Sequence, residues 1–173
     1  LYLFAKDALS EPLSRTRRSR GLYEIPSYTQ QIEGFMSANM LHDAHWTFFR
    51  LGNYLERADM TSRIVDVGAA YLRFAPELVE RFDSVLGTNV LKSVSGFQMY
   101  RQYCQPQVEG RRVVDFLLRD EQFPRAIACA LRRAKEACRA LPRGGAALAA
   151  LEALLIIAAD PVPAYDSTAS APA

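Results

Sequence analysis

The chain has little of what disulfide frameworks and metal sites require. Its 173 residues include three cysteines and two histidines, and Cys104, Cys129 and Cys138 form no Cys-x-x-Cys pair. An odd number of isolated cysteines predicts neither a disulfide framework nor a zinc site, and it is typical of a reducing compartment such as the cytoplasm. We therefore expect no metal, and three mostly buried, inert thiols.

Long apolar runs and an excess of charge are also missing. The longest apolar run, AALAALEALLIIAA, contains Glu152 and is shorter than the roughly 20 residues of a membrane span, which predicts a core helix. The formal net charge is only +2, and no aromatic residue separates the basic residues of Arg15–Arg20. We interpret that segment as an exposed connector, and we expect neither nucleic acid nor a membrane as a partner.

What the sequence does have is helical periodicity. Half of its residues are hydrophobic and 23% are charged, which is sufficient for a packed core. No alternating pattern predicts a strand, so we predict an all-α antiparallel helical bundle over residues 1–160 and a disordered tail over 161–173. The start, LYLFAKDAL, has no Met and is typical of the middle of a helix, which indicates a piece of a longer polypeptide. The expected helices are Leu1–Leu9, a segment after Pro26 that includes Ile32–Met40, Asp43–Phe74, Val79–Leu86, Asn89–Cys104, Val108–Leu118, Phe123–Leu141 (with Pro124 in its first turn) and Ala146–Ala159.

The segment Trp46–Val67 is apolar on two opposite sides. Trp46 and Ile64 lie opposite one broad apolar face, and such a helix is normally surrounded by neighbours. We therefore expect it at the centre of the bundle, with its charges partly buried. The predicted core face consists of Phe48, Leu51, Leu55, Ala58, Ser62, Val65 and Ala69.

A line of charged residues runs beside that face. Glu56 and Arg57 point about 100° apart and need different partners, whereas Asp59 and Arg63 are spaced to pair along the helix, as are Arg63 and Asp66. Three interpretations remain open: an ion-pair network that fixes helix register, a polar ligand pocket, or a carboxylate metal site. The Glu-x-x-His repeat of di-iron bundles is absent, which disfavours the third.

The string FFRLGNYLERADMTSRIVDV resembles the bacterial alpha-E domain family, helical domains named for a glutamate-arginine motif. MLHDAHWTF, RRVVDFLLRDEQFPRAI and the opening LYLF are also similar to that family, over roughly residues 1–140, and they correspond to the C-terminal half of its domain. The chain departs from the family pattern at Asn53 and Ala126. The motif positions are Gly52, Tyr54, Leu55, Glu56, Arg57, Thr61, Arg63 and Asp66, with Phe123, Pro124 and Arg125 in the second segment.

The resemblance implies a setting beside ATP-grasp peptide ligases and transglutaminase-like peptidases in the bacterial cytoplasm. It implies an accessory module that holds a partner or substrate and needs no cofactor, and the oligomeric state stays open. The alternative is an enzyme in which Glu56 or Asp59 is a general base and arginines bind an anion. The candidate motif or ligand-binding residues are Trp46, Arg50, Tyr54, Glu56, Arg57, Asp59, Arg63, Asp66, Arg112 and Arg125.

Overall fold

A computed structural model describes Lys6 and residues 15–74, 76–104 and 106–160, with side chains except at 15–23 and 69–81. Over these ranges the chain is all helical, without a strand, which confirms the predicted fold class. Apart from Lys6, the helix expected at Leu1–Leu9 lies outside the described residues, as does the tail 161–173. The helices are α1 (Arg15–Asn39), α2 (Ala44–Phe74), α3 (Pro76–Ser93), α4 (Phe97–Tyr103), α5 (Gly110–Arg119), α6 (Ile127–Arg139) and α7 (Gly145–Ala159).

The chain divides into two compact units, Leu1–Trp46 and Thr47–Ala173. In the first, α1 already begins at Arg15 and carries Pro26 in its interior. The expectation of a connector over Arg15–Arg20 is therefore wrong, and Pro26 does not open the helix. The break before α2 is set by Asp43, whose Oδ1 accepts hydrogen bonds from the backbone N–H groups of His45 (2.9 Å) and Trp46 (3.2 Å), as an N-cap does.

The second unit holds two hydrophobic clusters, and α2 contributes to both. In the first cluster, Ile64 and Val65 of α2 pack against residues that include Leu91 and Phe116. In the second, Tyr54 and Ala58 join side chains of α6 and α7. The other helices pack as the pairs α3–α4, α3–α5, α5–α6, α5–α7 and α6–α7. The helix α2, which carries the motif residues, thus contributes to both clusters of the core.

The break between α3 and α4 lies at residues 94–96 rather than at the expected 87–88. Ser95 is in the left-handed region with φ 54°. Its N–H bonds to the carbonyl of Lys92 at 3.0 Å, and the N–H of Gly96 bonds to that of Leu91 at 2.7 Å, which is a Schellman ending. Gly87 instead lies inside α3. A Cβ at this position would come within 2.9 Å of Val108, which explains why the residue is glycine.

Two further expectations need correction. Asp120 Oδ1 accepts from the backbone N–H groups of Gln122 and Phe123, so Pro124 lies in a turn and α6 begins at Ile127. The run that forms α7 is not a core helix: Leu151 is buried, but Ile156 is 69% exposed. Among the helices described, none combines the length and the apolar character needed to cross a bilayer.

Candidate functional site

The buried face of α2 differs from the expected one. Ala58 is buried as predicted, and Leu51 and Val65 are half-buried, but Phe48 is 58% exposed, Leu55 is 42% exposed and Ser62 is exposed. Tyr54 and Thr61 form the buried side together with Ala58. Among the residues that the structure describes, α2 therefore packs along one side and exposes the opposite side, and the expectation that neighbours surround it is wrong there.

The charges of the motif lie mainly on the uncovered side. Glu56, Asp59, Arg63 and Asp66 are exposed, and Arg57 is half-buried. Asp59 Oδ2 accepts a hydrogen bond from Arg63 Nε at 2.9 Å, which confirms that pair. Within the described residues, neither Glu56 nor Asp66 has a hydrogen bond or an ion pair. The predicted pair of Arg63 with Asp66 is therefore wrong, and so is the predicted partial burial of Glu56, Asp59, Arg63 and Asp66, which are exposed.

Glu56 and Arg57 diverge as their adjacency predicts. The positive charge of Arg57 acts on Cys129 of α6, whereas Glu56 faces solvent. Burial raises the pKa of the Cys129 thiol, and the charges of Arg133 and Arg57 offset part of that effect. Glu56 and Arg57 therefore have different surroundings, since Glu56 is exposed and Arg57 is half-buried.

A hydrogen bond joins α2 to the second segment of the resemblance. Thr61, 2% exposed, donates from Oγ1 to the carbonyl oxygen of Arg125 at 2.7 Å. Phe123 is buried and stacks on Phe116 with ring centroids 5.0 Å apart. The side chain of Arg125 is exposed, so its backbone, not its guanidinium, makes this bond.

The structure does not gather the remaining candidates at Glu56. Trp46 is buried in the first unit and stacks on His42 with centroids 4.8 Å apart. Arg50 donates to the hydroxyl of Tyr54 and lies over its ring, 5.2 Å from the centroid. Arg112 of α5 pairs with Glu109 at 2.8 Å. Each of these three contacts lies within one helix or one turn.

We call the exposed set Phe48, Leu55, Glu56, Asp59 and Arg63 the motif face. At about 100° per residue these five side chains fall within roughly one third of the circumference of α2. Large apolar groups next to charged groups that point into solvent are typical of protein interaction surfaces.

Beside the motif face lies a groove that the sequence does not predict. It has a volume of ≈ 460 Å³ and runs between α2 and α3 over α5. The stripe of Met60, Ile64 and Val67 at helical spacing was its only signal in the sequence, because the opposite wall comes from other helices. Among the described residues, the apolar lining includes Met60, Ile64, Val67, Leu86, Val90 and Val113, and the charged lining consists of Arg63 and Asp83.

The described residues offer little for nucleophilic or metal chemistry. Among them, no group of three or more His, Cys, Asp or Glu side chains could hold a metal ion. Cys129 and Cys138 are buried, as expected, whereas Cys104 is exposed, which corrects the expectation of three buried thiols. Desolvation raises the pKa of the Cys104 thiol, and a raised pKa lowers the thiolate fraction that a nucleophile needs.

Comparison with known proteins identifies one family. The family model of Alpha-E, described as a predicted alpha-helical domain with a conserved ER motif, matches residues 1–162. The match extends beyond the residues 1–140 over which the resemblance was noted and takes in nearly the whole chain. The boundaries of 1–160 for the domain, and its position within a longer domain, stay predictions. No curated protein and no solved structure matches the chain.

Proposed function

The chain belongs to the Alpha-E family, and from this premise we propose that it is a helical module that binds a protein partner through the motif face. The partner that the resemblance suggests is an ATP-grasp peptide ligase or a transglutaminase-like protein of the bacterial cytoplasm. The domain contributes binding or assembly, and its partner makes or breaks the amide bond.

One observation carries this proposal: Phe48 and Leu55 are exposed beside Glu56 and Arg63 on the same side of α2. Exposing large apolar side chains is unfavourable, at about 25 cal/mol for each Å² of apolar surface. A partner that covers Phe48 and Leu55 regains that free energy, while the surrounding charges fix its orientation.

The alternative of a catalytic carboxylate has less support. Asp59 is hydrogen-bonded to Arg63, and Glu56 faces solvent on a convex helix surface. A general base works best where a pocket holds substrate within hydrogen-bond reach. The groove nearest to these carboxylates is lined mainly by apolar side chains, which suits binding better than proton transfer.

Co-expression with an ATP-grasp ligase encoded beside this protein tests the proposal. Changing both Phe48 and Leu55 to Ser should weaken the complex at least roughly tenfold, because apolar anchors at an interface contribute about 2 kcal/mol or more. Biolayer interferometry measures the dissociation constants. Ile156→Ser on α7, where the native side chain is 69% exposed, is the matched control and should leave affinity unchanged.

The outcomes separate the two functions. If the double variant binds the ligase as tightly as wild type, or if Ile156→Ser weakens binding equally, the motif face is not the binding surface. If the purified domain turns over ATP or cleaves a peptide, and Glu56→Gln abolishes that activity, the domain is an enzyme and the binding proposal is wrong.

A further inference from the structure

The groove between α2 and α3 has the size and lining of a small-molecule site. Its ≈ 460 Å³ lies within the roughly 300–1,000 Å³ of typical ligand pockets. Met60 and Val67 line its α2 side and are 50% and 60% exposed. The apolar surface therefore extends from the groove to the outside of α2, where a ligand can reach it.

The two charged side chains of the lining differ in how well they are satisfied. Asp83 Oδ2 accepts a hydrogen bond from the backbone N–H of Gly110 at 2.7 Å. Gly110 is the first residue of α5, and the positive end of a helix dipole stabilises a carboxylate. One oxygen of the Asp83 carboxylate is thus hydrogen-bonded to the N-terminus of α5.

The guanidinium of Arg63 has N–H donors that do not bond to Asp59. Its Nε bonds to Asp59, its side chain is 71% exposed, and among the described residues no second carboxylate pairs with it. A guanidinium carries five N–H donors in one plane, so the pair with Asp59 leaves an edge that can bind an anion. Within the described part of the lining, Arg63 is therefore the cation that can bind a ligand.

We propose that this groove binds a small amphipathic carboxylate. The apolar chain of the ligand packs between Met60 and Val67 of α2 and Val90 of α3, and its carboxylate binds the guanidinium of Arg63. The proposal does not rest on the partner-binding function, because Phe48 and Leu55 do not line the groove. Arg63 belongs to both surfaces, so Met60→Glu and Val85→Glu, which change residues outside the motif face, decide the test, and Arg63→Gln only adds to it.

Titration of the ¹⁵N-labelled chain with dodecanoate below about 1 mM, followed by NMR, tests this proposal. Saturable shifts are expected for backbone amides of residues 60–68 and 86–93. Dodecyltrimethylammonium has the same apolar chain with the opposite charge and should bind at least roughly tenfold more weakly, since it cannot accept charge-assisted hydrogen bonds from Arg63.

Three variants locate the ligand. Met60→Glu places a carboxylate in the apolar wall and should abolish dodecanoate binding. Arg63→Gln should weaken dodecanoate roughly tenfold and leave dodecyltrimethylammonium unaffected or bound more tightly. Val85→Glu is the matched control, because Val85 also lies on a helix that forms the groove and is 52% exposed, but it does not line the groove. It should bind dodecanoate as wild type does.

Circular dichroism must show that all three variants are folded. The proposal is overturned if dodecanoate gives no saturable shifts, if the ammonium amphiphile binds as tightly, or if Val85→Glu lowers affinity as much as Met60→Glu. Partner binding is measured separately through Phe48 and Leu55. A negative result for the groove therefore does not contradict partner binding at the motif face, and a negative result for the motif face does not contradict ligand binding in the groove.

Discussion

At the scale of single residues, Glu56 and Thr61 of the same helix have opposite surroundings. Thr61 is 2% exposed and bonds to the carbonyl of Arg125, whereas Glu56 is exposed and has no partner within the described part of the chain. Both belong to the string that resembles the family. We infer that the string combines a residue that holds the fold, Thr61, with one that is free to contact something else, Glu56.

This difference predicts a large loss of stability when Thr61 is changed and almost none when Glu56 is changed. Thr61→Val keeps the shape of the side chain but leaves the Arg125 carbonyl without its donor, which should cost about 1–3 kcal/mol of unfolding free energy. Glu56→Gln should change that free energy by less than about 0.5 kcal/mol, as surface substitutions usually do. Urea unfolding followed by circular dichroism measures both. A loss above about 1 kcal/mol for Glu56→Gln would mean that Glu56 belongs to an ion-pair network after all.

The sequence predicted one of the two local ion pairs of α2 correctly, and it predicted burial poorly. The spacing of Asp59 and Arg63 was enough to predict their ion pair, because both residues lie on one helix. The burial of Glu56 was predicted wrongly, because Phe48 and Leu55 were assumed to have neighbours within the chain. Periodicity records which side chains are apolar, but it does not record whether the same chain covers them.

At the scale of helices, the predicted bounds are accurate where the start and stop signals of the sequence agree with the packing. The bounds of α5 and α7 lie within two residues of the prediction. The predicted boundary between α3 and α4 was wrong, because α3 continues through Gly87 to Ser93. Gly87 instead gives room to Val108 and Val113, a contact with residues more than twenty positions away that no local pattern contains.

The true end of α3 gives a second prediction. Ser95 adopts φ 54°, a conformation that is unfavourable by about 1–2 kcal/mol for residues with a Cβ but not for glycine. After allowing for the greater freedom of glycine in the unfolded chain, Ser95→Gly should stabilise the protein by about 0.5–1 kcal/mol.

The control for Ser95→Gly lies two residues earlier. Ser93 is the last helical residue of α3, and its Oγ bonds to the carbonyl of Val90. Ser93→Gly should therefore destabilise by about 0.5–1 kcal/mol. Urea unfolding distinguishes the two signs, and destabilisation by both variants would show that the left-handed conformation at Ser95 is not under strain.

At the scale of the whole molecule, the fold class and the family could be read from the sequence, but the groove could not. The groove needs Met60, Asp83 and Val113 side by side, and these residues come from three helices whose mutual arrangement the periodicity leaves open. The exposed face of α7 was missed for a related reason. An apolar helical sequence predicts burial, but it does not show how many sides of the helix other helices cover.

The two hydrophobic clusters of the second unit share α6 as well as α2. Cys129 of α6 belongs to one cluster and Cys138 of the same helix to the other. Disrupting α6 removes side chains from both clusters at once, so we expect them to unfold in one cooperative step. The two buried thiols are natural probes of this coupling, one for each cluster.

Alkylation with iodoacetamide across a urea series, read by mass spectrometry, tests the coupling. Cys104 is exposed and should react without urea, although slowly near neutral pH, because the raised pKa of its thiol keeps the thiolate fraction low; its rate should rise as the pH approaches that pKa. Cys129 and Cys138 should stay protected and then react with the same urea midpoint. A Cys104→Ser variant removes the background reaction. If Cys138 becomes reactive at clearly lower urea than Cys129, the cluster beneath α7 opens by itself, and α6 does not bind the two halves of the core into one cooperative unit.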